Sequence, residues 1–177
     1  IVSSRSLVRL FSITALLFSG SAVLAAQPDN FTATMVSSGM EMPMARMGVK
    51  SRIENPGMKD VVTISLGDVK KTIMMNKATK TFFEQPMQER ENTPNAYDPE
   101  MAIEKKKVGA DTIDGHPCIK YEAVFYRKSK PDKKYNATLW EAQDLKDFNI
   151  QTEMTLPPNP KYPGSGGKMV MKFKDIK

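Results

Sequence analysis

The chain has 177 residues, and its 26 Lys and Arg against 20 Asp and Glu give a formal net charge of +6. This excess is small and dispersed, and its densest run, Glu104 to Lys107, has no interleaved aromatic residues, which argues against a nucleic-acid-binding protein. Cys118 is the only cysteine, so no intramolecular disulfide can stabilise the domain.

Residues 1–26 have the three parts of a secretory signal peptide. Two arginines come first, an apolar run over 10–18 follows, and small residues lead up to Ala26. The apolar run is shorter than the roughly 20 residues that a membrane-spanning helix needs. We therefore predict a signal peptide over 1–26, a single domain over 27–177 and a periplasmic location.

The rest of the chain consists of short strand-like runs separated by turn residues. "FTATMV", "FNIQTEMTL" and "KMVMKF" each alternate apolar and polar residues, which is typical of a half-buried strand. Five further runs are "VVTISL", "VKKTIMMN", "TKTFFEQ", "CIKYEAVFYRK" and "YNATLWEA". Gly67-Asp68 and Asp114-Gly115 have the composition of hairpin turns. The pattern predicts a mainly β fold with one antiparallel sheet.

Three segments depart from this alternation. The polar stretch over 86–99 is predicted to leave the sheet, with Pro99 starting a short helix through Met101 and Ile103. The Pro- and Gly-rich tract over 157–167 is predicted to be a loop. Glu104 to Lys107 indicates a solvated face or an edge strand.

The run "GMEMPMARM" brings Met40, Met42, Met44 and Met47 close together in sequence. Thioethers can bind Cu(I), and they can also line an adaptable apolar surface or fill an ordinary core. On a strand, the first three would share one face, and Pro43 would indicate an edge or an irregular strand. The 13 methionines of the chain are spread from residue 35 to 171, which favours apolar lining over a local metal site. A periplasmic copper-binding protein stays open as the alternative.

Catalytic machinery is not evident in the sequence. His116 and Cys118 lie close together in "GHPC", but no orienting or oxyanion partner accompanies them. Gly115 and Pro117 suit a turn and a strand entry, and a lone thiol is more often a small buried hydrophobe than a nucleophile. We therefore predict a non-catalytic protein that needs no cofactor.

The order of several segments resembles the periplasmic lipoprotein-carrier superfamily (LolA/LolB-like), and within it an uncharacterised family. These segments are "FTATM", "KSRIE", "VVTISLGDVKKTIMMNKATKTFFEQP", "VGADTIDGHPCIKYEAVF", "ATLWEAQDL" with "FNIQTEM", and "MVMKFKDIK". The resemblance implies a strongly curved antiparallel sheet, a half-barrel with a short helical or loop lid over an apolar cavity. The chain stops directly after "KFKDIK", where a final segment of such a domain can be missing.

The resemblance also implies the ligand, because relatives of known role bind lipid or lipoprotein acyl chains. An envelope protein as a further partner is left open. The strand alternation by itself assigns eight residues to the concave, ligand-binding face: Phe31, Met35, Phe148, Ile150, Met154, Met169, Met171 and Phe173.

Overall fold

The computed structural model describes residues 30–87, 100–158 and 166–177, and eleven strands in these ranges form one antiparallel sheet. The single helical element of the described ranges is a 3₁₀ turn, Gln143–Leu145. In chain order the strands are β1 Asn30–Ser37, β2 Met40–Met47, β3 Lys50–Glu54, β4 Val61–Leu66, β5 Lys71–Asn76, β6 Thr81–Pro86, β7 Met101–Ile113, β8 His116–Arg127, β9 Lys130–Ala142, β10 Phe148–Leu156 and β11 Gly167–Lys174.

The sheet consists of two meanders that join through the first and last strands. Strands β1 to β6 pair in succession, and so do β7 to β11. Because β1 also pairs with β11, the spatial order is β6-β5-β4-β3-β2-β1-β11-β10-β9-β8-β7. Strands β6 and β7 are the two edges, so the sheet stays open. The predicted mainly β fold, a single curved antiparallel sheet of half-barrel form, is confirmed.

Tight turns explain why consecutive strands pair. Ser38 and Gly39 have φ values of +51° and +77°, and Asp114 and Gly115 have values of +50° and +87°. Two successive positive φ values are the signature of a type I′ turn, whose twist matches that of the strands it connects. Glycine adopts the second of these conformations without steric cost. The predicted hairpin at Asp114-Gly115 is confirmed.

A first hydrophobic cluster gathers around three phenylalanine rings. Phe31, Phe148 and Phe173 meet edge to face, with centroid distances of 5.0, 5.6 and 6.3 Å. Such pairs contribute about 0.5–1.5 kcal/mol each beyond the area they bury. Since the rings come from β1, β10 and β11, this cluster ties the two meanders together. Its other buried members are Ala33, Met44, Cys118, Trp140, Ala142 and Ile150.

A second hydrophobic cluster lies on the C-terminal meander. Its buried members are Met101, Ala123, Phe125, Tyr135, Ala137, Leu139 and Met154. Around them pack the half-buried side chains of Ile103, Tyr121, Leu156 and Met169. This cluster is therefore rimmed by apolar side chains that are only partly covered.

A β-bulge in β10 explains how one strand serves both clusters. The register with β9 shifts between Asn149 and Gln151, which leaves Ile150 as an extra residue. Phe148 and Ile150 consequently belong to the first cluster, while Met154 belongs to the second. The alternation in "FNIQTEMTL" groups Asn149 with the polar, solvent-facing residues of this strand, and that prediction is wrong because Asn149 is buried.

Two further expectations are corrected by β7. The helix predicted through Met101 and Ile103 is wrong, since both residues lie in a strand that pairs with β8 from Met101 to Ile113. Long pairing with a neighbouring strand outweighs the helix-start signal at Pro99, which itself lies outside the described residues. Glu104 to Lys107 do lie on an edge strand, as predicted, but the Lys105 side chain is buried rather than solvated.

Several predicted segments fall outside the described residues. These are the signal peptide over 1–26, most of the polar stretch over 86–99 and the centre of the tract over 157–167. The described part of the chain contains no helix with the length and hydropathy that a membrane crossing requires.

Candidate functional site

The structure divides the eight predicted ligand-binding residues between the two clusters. In or against the first cluster lie Phe31, Met35, Phe148, Ile150, Met171 and Phe173. In or against the second lie Met154 and Met169. All eight thus contribute to the hydrophobic interior, and their contact with a ligand stays a prediction.

One face of the C-terminal meander carries small and flexible apolar side chains side by side. Directly opposite residues of an antiparallel pair share a face, so the register places one row across β7 to β11. That row is Lys105, Ala123, Ala137, Met154 and Met169. The next row on the same face is Tyr121, Leu139, Thr152 and Met171. We call this surface the Ala–Met face.

Two small side chains belong to the Ala–Met face. Ala123 and Ala137 are neighbours on β8 and β9, and each side chain ends at its Cβ atom. Larger side chains surround them, including Phe125 and Tyr135 on one side and Leu139 on the other. Both alanines are only 4% and 8% exposed, so the larger neighbouring side chains close over them.

A buried ion pair crosses the Ala–Met face. Lys105 Nζ donates to Glu141 Oε1 at 2.6 Å and to Oε2 at 2.8 Å. The two side chains are only 9% and 7% exposed. The ammonium also lies 4.5 Å from the centroid of the Tyr121 ring, a cation–π contact. Burial, followed by the negative charges of Glu141 and Asp147, raises the pKa of the Tyr121 hydroxyl.

Nothing in the sequence marks Lys105 and Glu141 as partners. Lys105 lies in a lysine run that looks solvated, and Glu141 follows Trp140 far along the chain. The available signal was the alternation of β7, which places Ile103 and Lys105 on the same face. A lysine on an apolar face requires a buried acid as its partner.

A polar contact next to the ion pair involves Asn149 and Thr152, both buried. Asn149 Nδ2 donates to Thr152 Oγ1 at 2.8 Å. Asn149 stands directly opposite Glu141, and Thr152 stands opposite Leu139, so both side chains lie on the Ala–Met face. Among the described residues, Asn149 Oδ1 is the one buried side-chain nitrogen or oxygen atom without a hydrogen-bond partner.

A groove of about 660 Å³ spans the same strands. Most of its lining residues alternate with the row that carries Ala123 and Ala137, and they are polar or charged: Glu104, Lys106, Glu122, Asn136, Thr138, Glu153, Thr155 and Lys168. Lys168 and Glu153 form an ion pair across it at 2.7 Å. Four residues of that row also line the groove, namely Lys105, Ala123, Ala137 and Met154. The polar side chains of the groove therefore stand beside apolar ones.

The methionines of β2 do not converge as a group of four. Met40, Met42 and Met44 share one face, opposite Ser37, Met35 and Ala33 of β1, as the sequence predicted. Met47 alternates to the other face, where it is exposed. The edge position that Pro43 indicated is wrong, because β2 lies between β1 and β3 in the sheet. Pro43 stands opposite Thr34 of β1, and the pairing of β2 with β3 starts only at Met44. Among the described residues, no group of three His, Cys, Asp or Glu side chains is arranged to hold a metal.

The "GHPC" segment serves the start of β8. The Cys118 thiol donates to the His116 backbone oxygen at 3.3 Å, while His116 Nδ1 lies 2.7 Å from Asp144 Oδ2. Burial raises the pKa of the Cys118 thiol, and the negative charges of Asp144 and Asp111 raise it further. The expectation that His116 has no orienting partner is wrong, because Asp144 holds its Nδ1. A raised pKa nevertheless keeps the Cys118 thiol protonated, which opposes a nucleophilic role.

Comparison with known proteins gives one family and distant structural resemblances. No curated protein matches the chain. The lipoprotein LppX of Mycobacterium tuberculosis is similar with a TM-score of 0.45 and 12% identity, over 84% of this chain and 86% of LppX. A putative outer membrane lipoprotein-sorting protein domain from Vibrio parahaemolyticus is similar with a TM-score of 0.38 and 8% identity, over 84% of each chain. The family model described as a domain of unknown function (DUF4412) matches residues 18–162, and the chain belongs to this family.

Proposed function

We propose that this protein is a periplasmic, non-catalytic binding protein that holds a lipid acyl chain, or a similarly apolar molecule, in the hollow of its curved sheet along the Ala–Met face. The observation that carries the proposal is an open sheet with an apolar face whose rim is only partly covered. Ile103, Tyr121, Leu156 and Met169 form this rim around the second cluster. No helix of the described ranges packs over these side chains.

The composition of the face suits a flexible ligand. Met154, Met169 and Met171 have unbranched side chains, which repack around chains of different length at low cost. A face built for rigid packing would instead use leucine, whose rotamers are better defined.

The energetics of burial are sufficient for useful affinity. Each buried methylene contributes about 0.8 kcal/mol. A micromolar Kd corresponds to about −8.2 kcal/mol, so roughly ten buried methylenes reach this value before the costs of association are subtracted. Long acyl chains have more methylenes than this, and their burial can offset part of those costs.

The proposed periplasmic location rests on the signal-peptide pattern of residues 1–26. The same pattern supports the proposal that this segment is cleaved off during export. The non-catalytic part of the proposal is supported by the raised pKa of the Cys118 thiol and by its hydrogen bond to the His116 backbone oxygen, which both oppose a thiolate nucleophile.

Displacement of a fluorescent fatty acid by unlabelled lipid tests this proposal. We expect binding near micromolar lipid, and we expect it to weaken at least tenfold in Met169→Trp and Met171→Trp, because indole rings at these two positions would occupy the Ala–Met face. Val170→Trp is the matched control, since Val170 lies between these two methionines on β11 and is exposed on the opposite face. Absence of displacement at lipid concentrations far above micromolar, or equal losses in all three variants, would contradict the proposal.

A further inference from the structure

Asn149 is a buried polar side chain with one unused hydrogen-bonding atom. The residue is 8% exposed, and its Nδ2 is engaged by Thr152. Its Oδ1 has no partner. A buried polar atom without a hydrogen bond costs the folded state a substantial penalty, which a ligand group able to supply that bond would remove.

The β10 bulge aims this amide at the Ala–Met face. Without the extra residue at Ile150, simple alternation would place Asn149 and Thr152 on opposite faces. With it, Asn149 faces Glu141 while Thr152 faces Leu139, and the hydrogen bond between Asn149 and Thr152 follows from this arrangement. The bulge thus places the Asn149 amide on the Ala–Met face, together with the buried side chains of Leu139 and Met154.

The neighbouring ion pair limits the charge that a ligand can carry there. Lys105 directs two N–H groups at Glu141, and the two charges cancel within a buried contact. An anionic ligand head next to Asn149 would meet the Glu141 carboxylate directly opposite, and a cationic head would compete with Lys105. A neutral polar head meets neither penalty.

We propose that Asn149 recognises a neutral, hydroxyl-bearing head next to the acyl chain, so that the preferred ligands are acyl esters of polyols rather than free fatty acids. This inference rests on the proposed function, because the acyl chain lies on the Ala–Met face. A hydroxyl donates to Oδ1, and it equally accepts from an amide N–H, so it satisfies Asn149 in either orientation of the amide.

Three probes with the same twelve-carbon chain separate head from chain. They are 1-monolauroylglycerol with free hydroxyls, methyl laurate without any, and laurate with a negative charge, each below the concentration at which it forms micelles. The measured quantity is the Kd ratio between methyl laurate and monolauroylglycerol. We expect the wild-type protein to favour monolauroylglycerol roughly tenfold, the scale of one buried hydrogen bond, and laurate to bind more weakly than monolauroylglycerol.

The variants assign this preference to Asn149. Asn149→Leu should bring the Kd ratio at least fivefold closer to unity while methyl laurate binds as before. Asn149→Leu/Thr152→Val removes both partners of the internal hydrogen bond and gives the same comparison if the single variant folds poorly. Asn136→Leu, the same change at an exposed position of β9, should keep the wild-type ratio.

The outcomes distinguish this inference from the proposed function. If the three probes bind equally, or if the Kd ratio is unchanged in both Asn149 variants, the head-group inference is wrong and the apolar site stands. Tighter binding of laurate than of monolauroylglycerol also overturns it. If no probe binds, the proposed function itself fails.

Discussion

Removing one partner of the Lys105–Glu141 pair should destabilise the protein far more than removing both. In Lys105→Met, the Glu141 carboxylate stays at 7% exposure without its cation, and it also loses two hydrogen bonds of 2.6 and 2.8 Å. Breaking a buried pair in this way costs about 3–5 kcal/mol. In Lys105→Met/Glu141→Leu no charge is left behind, so we expect a change within about 1 kcal/mol of wild type.

Urea denaturation measures this difference through the midpoint at constant m-value. The matched control is Lys71→Met, which removes the Lys71–Glu84 pair between β5 and the edge strand β6. That pair has an Nζ–Oε2 distance of 3.3 Å and side-chain exposures of 53% and 44%. Exposed pairs contribute about 0–1 kcal/mol, so this variant should shift the midpoint little. If Lys105→Met lowers the unfolding free energy no more than Lys71→Met does, Lys105 does not neutralise a buried charge. The same conclusion follows if the double variant is as unstable as Lys105→Met.

Three further predictions follow from the described contacts. Cys118 should react with thiol reagents only on unfolding. Because the pKa of its thiol is raised in the folded protein, its contribution to stability is complete below the ordinary thiol pKa and is lost as the pH rises toward the folded pKa. An unfolding free energy that increases over that pH range would contradict the assignment. A Cu(I) competition titration should find no stoichiometric site, because Met47 faces away from Met42 and Met44; binding that disappears in Met42→Leu/Met44→Leu would favour the copper alternative. Gly115→Ala should lower the unfolding free energy by about 1–2 kcal/mol through its φ of +87° alone, since no atom lies within 4 Å of the added Cβ, and an unchanged urea midpoint would refute this.

Alternation and turn residues predicted a mainly β fold with one antiparallel sheet, but not the start of its edge strand β7, and the curvature was implied by the resemblance alone. Phe31, Ala33 and Met35 do share a face of β1, and Asp114-Gly115 does form the hairpin between β7 and β8. Both features depend on local sequence, since side-chain direction in a strand has a period of two and a type I′ turn requires positive φ at adjacent residues. The order of the strands within each meander follows from such hairpins, because each strand pairs with the next one along the chain.

The candidate site was less predictable because it depends on register between distant strands. The bulge at Ile150 reverses the face of Asn149, and no residue type in "FNIQTEMTL" marks it. Lys105 of β7 contacts Glu141 of β9 across β8. Strand alternation indicates the face on which each residue lies, but the contact depends on the register between the strands. At Met101 and Ile103, pairing with β8 overrides a local helix signal.

Native mass spectrometry of the purified protein, with extraction and identification of bound molecules, measures whether an acyl lipid occupies the curved sheet. We predict a stoichiometric adduct with the mass of an acyl lipid, which is released on denaturation and is reduced in Met169→Trp but retained in Val170→Trp. A protein that carries no adduct, and that also takes up none when incubated with acyl lipids before the measurement, would contradict the account.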